Sequence, residues 1–206
     1  MSISIQTVLC GEIQENAYIV RIDGRDDCVV VDPGDDYEKL KRALGDKKLS
    51  AILLTHGHYD HIMAAGRLAR DTGAPVYVHA DDLEMLNDVA KNGLSGLMGG
   101  GAMPGPAIVA RAFGDELSVA GLDFDILHTP GHSKGSACLY LESEGVLFSG
   151  DTMFRAGFGR MDLYGGSPLQ MRASLKRLFS LPAGVRVYPG HGPQTTIGAE
   201  RSLYRL

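Results

Sequence analysis

Ala51-Ile52-Leu53-Leu54-Thr55-His56-Gly57-His58-Tyr59-Asp60-His61 is the stretch that decides the fold of this chain. Its apolar start reads as a buried strand. Its end places three histidines and one aspartate within six residues. Neutral imidazoles and a carboxylate are the ligands that a borderline divalent metal prefers. A loop at a strand end presents such groups on a rigid base. The plainer reading, a histidine-rich surface tract that binds metal adventitiously, does not explain why the cluster caps a strand.

The same design recurs. Thr129-Pro130-Gly131-His132, Ser149-Gly150-Asp151 and Tyr188-Pro189-Gly190-His191 each follow an apolar run and carry one ligand-type residue on a glycine turn. The candidate ligands are therefore His56, His58, Asp60, His61, His132, Asp151 and His191. A catalytic zinc takes about three protein ligands plus water, so this set is too large for one ion and fits two. His56 and His58 alternate and can face one ion with His132. Asp60 and His61 turn toward a second with His191. Asp151 has two oxygens and can serve both. Two divalent ions outweigh two carboxylates and a hydroxide. Such a site lowers the pKa of bound water and draws a small anionic substrate into an otherwise acidic protein.

The pattern around these turns predicts an α/β fold. Strands are expected at 16–22, 28–31, 51–54, 74–79, 123–127, 137–141, 146–149 and 185–188, and helices at 37–44, 61–71, 81–90 and 168–179. Gly45 and Gly73 stop two of the helices, and Pro168 begins the last. Strand runs precede helices in both halves, which suggests two facing sheets with helices outside, a four-layer αββα sandwich. Residues 92–106 are rich in glycine and read as a mobile surface loop, either a lid over a site or a plain connection.

Bulk properties narrow the function. The chain has 206 residues, 44% hydrophobic and 22% charged, enough for one domain over 1–206. A net charge of −5 does not favour non-specific binding to nucleic acid or to an acidic membrane surface. No apolar run approaches a membrane span, and no secretory leader pattern opens the chain. Cys10, Cys28 and Cys138 are odd in number and far apart, which fits a reducing cytoplasm.

The ordered set His56-Gly-His58-Tyr-Asp60-His61, His132, Asp151 and His191, with Val31-Asp32-Pro33-Gly34 before it, resembles the metallo-β-lactamase superfamily. The resemblance extends over nearly the whole chain and implies an αββα sandwich with a binuclear metal site on one edge. The β-lactamases usually carry Cys where Asp151 stands. Flavodiiron oxidoreductases carry Glu where His58 stands. Asp151 and the runs 150–162 and 189–201 resemble the short glyoxalase II (hydroxyacylglutathione hydrolase)-like enzymes. That implies hydrolysis of a thioester such as S-lactoylglutathione by a hydroxide on two divalent ions, Zn2+ first, with Fe or Mn as other candidates. Asp60 would orient the nucleophile or accept its proton. Larger glyoxalase II enzymes continue into a helical domain that contacts glutathione. Only fifteen residues follow His191 here, so that domain is not expected. The alternative resemblance is to persulfide dioxygenase, in which one iron is held at the positions of His56, His132 and Asp151. Pro193-Gln-Thr-Thr favours the hydrolase. A non-catalytic metal-binding module is a third class. A monomer or a homodimer fits equally.

Other residues have two readings each. Asp32 orients a ligand histidine or caps a turn. Arg155 and Arg160 pair with a substrate carboxylate or with an internal acid, Asp162 for Arg160. Lys134 touches substrate or is solvated. His128 packs behind His132. His79 and the rim residue Tyr59 are structural, and Met63, Met85 and Met171 are packing residues.

Overall fold

The computed structural model describes residues 2–99 and 101–204. The first sheet holds β1 (Ile3–Cys10), β2 (Glu15–Ile22), β3 (Asp27–Val31), β4 (Lys48–Leu53), β5 (Val76–Val78) and β6 (Ala110–Ala112), in that spatial order. The second holds β7 (Glu116–Val119), β8 (Leu122–His128), β9 (Ala137–Leu141), β10 (Val146–Gly150), β11 (Arg186–Pro189) and β12 (Thr195–Thr196), also in chain order across the sheet. Helices α1 (Tyr37–Leu44), α2 (Tyr59–Ile62), α3 (Ala65–Thr72) and α4 (Ser95–Met98) belong to the first half, and α5 (Pro168–Leu178) and α6 (Ile197–Arg201) to the second.

Strand alternation builds the layers. Tyr18, Val20, Val29, Val31, Ala51 and Leu53 face Phe124, Leu139, Leu141, Val146, Phe148 and Tyr188 between the sheets. The intervening residues Ile19, Val30, Ile52 and Leu54 point the other way, onto Leu40 and Leu44 of α1 and Leu68 of α3. Cys138, Tyr140, Leu147 and Val187 pack on Met171, Leu175 and Leu178 of α5. Helix, sheet, sheet, helix is the expected αββα sandwich.

Several local expectations change. The helix expected over 61–71 is two pieces, because the Ala64 amide donates to the carbonyls of Pro33 and Gly34 and so pins the chain at the break. The helix expected over 81–90 is a 3-10 turn at Ala80–Met85, where the Asp82 side chain is drawn away into the core. Strands β1, β6, β7 and β12 were not expected. Residues 92–106 include α4 and are anchored by buried Asn92, whose carbonyl accepts from the Tyr59 amide at 3.0 Å. Cys10, Cys28 and Cys138 are all buried free thiols, with burial first among the causes that push Cys10 up to about 12 and Cys28 and Cys138 up to about 11. Among the described residues no helix is long and apolar enough to cross a membrane.

Candidate metal centre

Parallel pairing explains why the four ligand turns meet. β3, β4 and β5 run parallel, so Asp32, the 54–61 turn and His79 all leave the same end of the first sheet. β10 and β11 are parallel to each other, and β8 lies two antiparallel steps from β10, so His132, Asp151 and His191 leave one end of the second. The Ala137 amide donates to the Thr55 carbonyl at 2.8 Å and ties the two ends together.

All seven residues expected as ligands come together. His56, His58 and His132 place one ring nitrogen each within 4.8 Å of one another, and Asp60, His61 and His191 form a second such group. His58 Nδ1 lies 2.8 Å from His132 Nε2, and His191 Nε2 lies 3.1 Å from Asp60 Oδ2. Asp151 stands between the groups. Its Oδ1 faces His61 Nε2 at 3.3 Å, and its Oδ2 faces His132 Nε2 at 3.4 Å and His191 Nε2 at 3.8 Å. Gly190 is required beside it: a Cβ there would run into Asp151 Oδ1 and His61 Cε1.

The donor atoms fit metal ions. His56 Nε2, His61 Nε2 and Asp151 Oδ1 are buried without a hydrogen-bond partner. Such groups are costly unless something electropositive meets them. The opposite ring nitrogens are engaged, as metal-ligating histidines require. His56 Nδ1 meets Thr55 Oγ1 at 3.0 Å, His61 Nδ1 meets Asp32 Oδ2 at 3.0 Å, and His132 Nδ1 meets the Arg160 carbonyl at 2.7 Å. Asp32 also accepts from the Thr55 amide and hydroxyl at 2.7 and 2.6 Å. Its oxygens are thus committed to orienting the turn, although it lies close enough to His56 and His61 to form a third donor group.

Electrostatics keep His56 and His58 neutral and set His61 apart. Burial first, then the neighbouring histidines, hold His56 well below its ordinary value, and burial with His132 brings His58 down to about 3. Burial opposes charge on His61, yet Asp60 and Asp151 raise it well above the usual range. Burial likewise works against the Asp151 carboxylate, and His61 and His132 nevertheless hold its pKa low.

Three contributors were not legible beforehand. Buried Asp82 accepts from the Gly57 amide at 2.9 Å, the Ser133 hydroxyl at 2.6 Å and the Gly135 amide at 2.6 Å, so one carboxylate joins the His56–His58 turn to the His132 turn. Asn16 donates from its amide to the Gly190 carbonyl at 2.8 Å and from Nδ2 to the Pro189 and Gly192 carbonyls at 2.9 Å each, which fixes the His191 turn. Glu15 is fully buried, its carboxylate 3.7 Å from His61 Nδ1, with both oxygens unpartnered and its pKa raised by burial above all. Only the turn-and-strand context of Glu15-Asn16 hinted at anything, and it pointed to no role.

The remaining candidates separate. Arg160 makes a bidentate pair with Asp162, 2.7 Å on each arm, the internal reading. Lys134 is neither free nor aimed at the cluster: it lies 3.8 Å from Glu84 and over the Tyr164 ring. Arg155 is exposed and does not line the cavity. His79 and His128 stack on each other, 4.0 Å between ring centroids and 9° between planes. The cavity beside the histidine and aspartate cluster has a volume of about 490 Å³ and apolar walls that include Ile13, Tyr59, Leu97, Phe154 and Leu163.

The sequence model of the metallo-beta-lactamase superfamily matches residues 10–191. The chain belongs to that superfamily. A probable metallo-hydrolase of Bacillus subtilis, YqgX, is 37% identical over 194 residues, 93% of this chain and 91% of that one. A hydroxyacylglutathione hydrolase of Pseudomonas aeruginosa is 40% identical over 167 residues, 80% of this chain but 56% of that enzyme. Two crystal structures superpose closely. The B3 metallo-beta-lactamase BLEG-1 has a TM-score of 0.88 and 39% identity, covering 97% of both chains. TTHA1623 in a di-iron-bound form has a TM-score of 0.81 and 41% identity, covering 95% of this chain and 96% of that one.

Proposed function

We propose that this metallo-hydrolase-superfamily chain hydrolyses thioesters at a two-metal centre held by His56, His58 and His132 on one side and Asp60, His61 and His191 on the other, with Asp151 shared. The observation that carries this reading is the set of buried, unpartnered donor atoms on His56, His61 and Asp151, converging from separate turns. When bound, two divalent ions would supply a water ionised near neutral pH and an electrophile for a carbonyl oxygen. Asp60 stands at the cavity floor, where its carboxylate can orient the attacking water and take its proton. Asp32, Thr55 and the Arg160 carbonyl keep the imidazole faces fixed. A thiolate leaves readily, so the side chains need supply no strong acid. The hydroxyacylglutathione hydrolase relative supports a thioester, and zinc and iron are both candidate metals.

Metal analysis paired with two assays tests the reading. About two metals per chain with turnover of S-lactoylglutathione, a small anionic thioester, supports it. One iron per chain with oxygen uptake on glutathione persulfide replaces it with the dioxygenase. Absence of both activities in a metal-loaded protein leaves a binding module.

A further inference from the structure

A second cavity of about 220 Å³ opens beside Asp60 of the candidate ligand cluster. It shares Ile13, Tyr59, Asp60 and Leu97 with the first, so the two form one branched cleft. The branch is walled by Met63, Leu94 and Met98. Ile13, from the turn between β1 and β2, is 51% exposed, and Leu97 and Met98, from α4, are 69% and 56% exposed. Large apolar side chains left in water on two separate elements that face one cleft mark a surface shaped for an apolar ligand. Charge selects which part of a thioester lies there. Among the described residues the branch is lined by Glu12, Asp35 and the shared Asp60 and by no lysine or arginine, and Arg160, the arginine that lines the main cavity, is already paired with Asp162. A polyanionic thiol carrier is repelled by such a wall, whereas a neutral hydrocarbon is not.

We propose that the branch between Ile13 and Leu97 receives a linear apolar acyl chain, so that the substrate class is a medium-chain acyl thioester. The thiol carrier then leaves on the Arg160 and Leu163 side. This rests on the hydrolytic reading above. In the reaction, water oxygen bonds to the acyl carbon, the carbon–sulfur bond breaks and its electron pair leaves on sulfur. The two protons of the water end in solvent and on the thiol, and the product is the carboxylate.

The test uses the metal-loaded protein and S-acetyl-, S-lactoyl-, S-hexanoyl- and S-octanoylglutathione, which share one carrier. Each buried methylene favours binding about fourfold, so burying two of the four added methylenes raises kcat/KM about sixteenfold from acetyl to hexanoyl. Leu97→Ser and Ile13→Ser lower the hexanoyl-to-acetyl ratio by about tenfold. A preference for lactoyl over hexanoyl, or a ratio unchanged in both variants, overturns the assignment. Calorimetric binding of octanoate relative to acetate is read independently of turnover. Preferential octanoate binding that weakens in both variants, with no thioester hydrolysed, supports the apolar branch while removing the hydrolytic reading. Thioester turnover without any chain-length preference does the reverse.

Discussion

Two groups of histidines, each drawn from turns at the ends of both sheets, lie close together, and among the described residues one of them is built as a candidate metal centre. In the first, His56, His61 and His132 each engage one ring nitrogen with a fixed acceptor or hydroxyl and turn the other inward. In the second, His79, Asp81 and His128 are close enough to pass as a ligand group. Yet the His79 and His128 rings lie parallel, so their nitrogen lone pairs run side by side instead of converging. His128 Nε2 also faces the Lys134 carbonyl at 2.9 Å, which consumes it as a donor. Proximity of imidazoles is therefore not enough. Convergence of the remaining nitrogens makes the difference.

That contrast can be attacked from several directions. Asp151→Ala removes the acceptor common to both halves of the convergent group. Metal content is expected to fall from two toward one, and thioester turnover by on the order of 10³-fold. Full activity in that variant would defeat the two-metal mechanism. Asp82→Ala unties the His58 turn from the His132 turn and leaves buried donors on Gly57, Ser133 and Gly135 unsatisfied, at a cost of about 3 kcal/mol. Urea unfolding of the chelated protein measures it. Asp32→Asn weakens the back-partner of His61 and lowers metal affinity about 10–100-fold, read by competition with a chromophoric chelator.

Acidification probes the same distinction through protons. His56 and His58 are held below the unfolded value of about 6.5, so the unfolded chain binds protons that the folded cluster refuses. Their penalty is absent above that pH and grows as pH falls from about 6.5 toward about 3. His61, which is raised, contributes the opposite way: its stabilisation is complete below about 6.5 and fades as pH rises through its folded value. Glu15, also raised by burial, acts in the same sense as His61. Protons compete with metal for the ligand imidazoles, so the loaded protein should release metal as pH is lowered from about 7.5 to 5, read by a chromophoric chelator. The smallest effect is expected from His79→Ala combined with His128→Ala. Metal content should stay the same and activity should change by less than about twofold, since neither ring reaches the cavity. Loss of a metal from that double variant would show that the stacked pair is a site after all.

Much of this contrast was legible in the sequence, for a definite reason. Ligand residues advertise their chemistry by type, and each lies on a glycine turn after an apolar run, so His56 through His191 could be read one turn at a time. The αββα layering followed from strand runs that precede helices in both halves and from the superfamily resemblance. Asp82 could not be read this way. Its partners are Gly57, Ser133 and Gly135, distant in sequence and ordinary in type, and a helical pattern over 81–90 hid the 3-10 turn that frees its side chain. Arg160 was read with its partner because Asp162 is only two residues away. Glu15 and Asn16 act on a turn at the far end of the chain. The break between α2 and α3 depends on the Pro33 and Gly34 carbonyls, another long-range bond that no local window contains.

The bonds from Asn16 and Tyr18 to the Pro189 carbonyl, at 2.9 and 2.6 Å, have a consequence for biogenesis. The turn that carries His191 is clamped by β2, so its geometry exists only after residues 16–18 have met residue 189. During synthesis the His56–His61 turn emerges early and waits for residues made more than a hundred positions later. If the proposed two-metal centre is correct, full metal occupancy certifies completed folding, because the His191 turn takes its place only once β2 has met it.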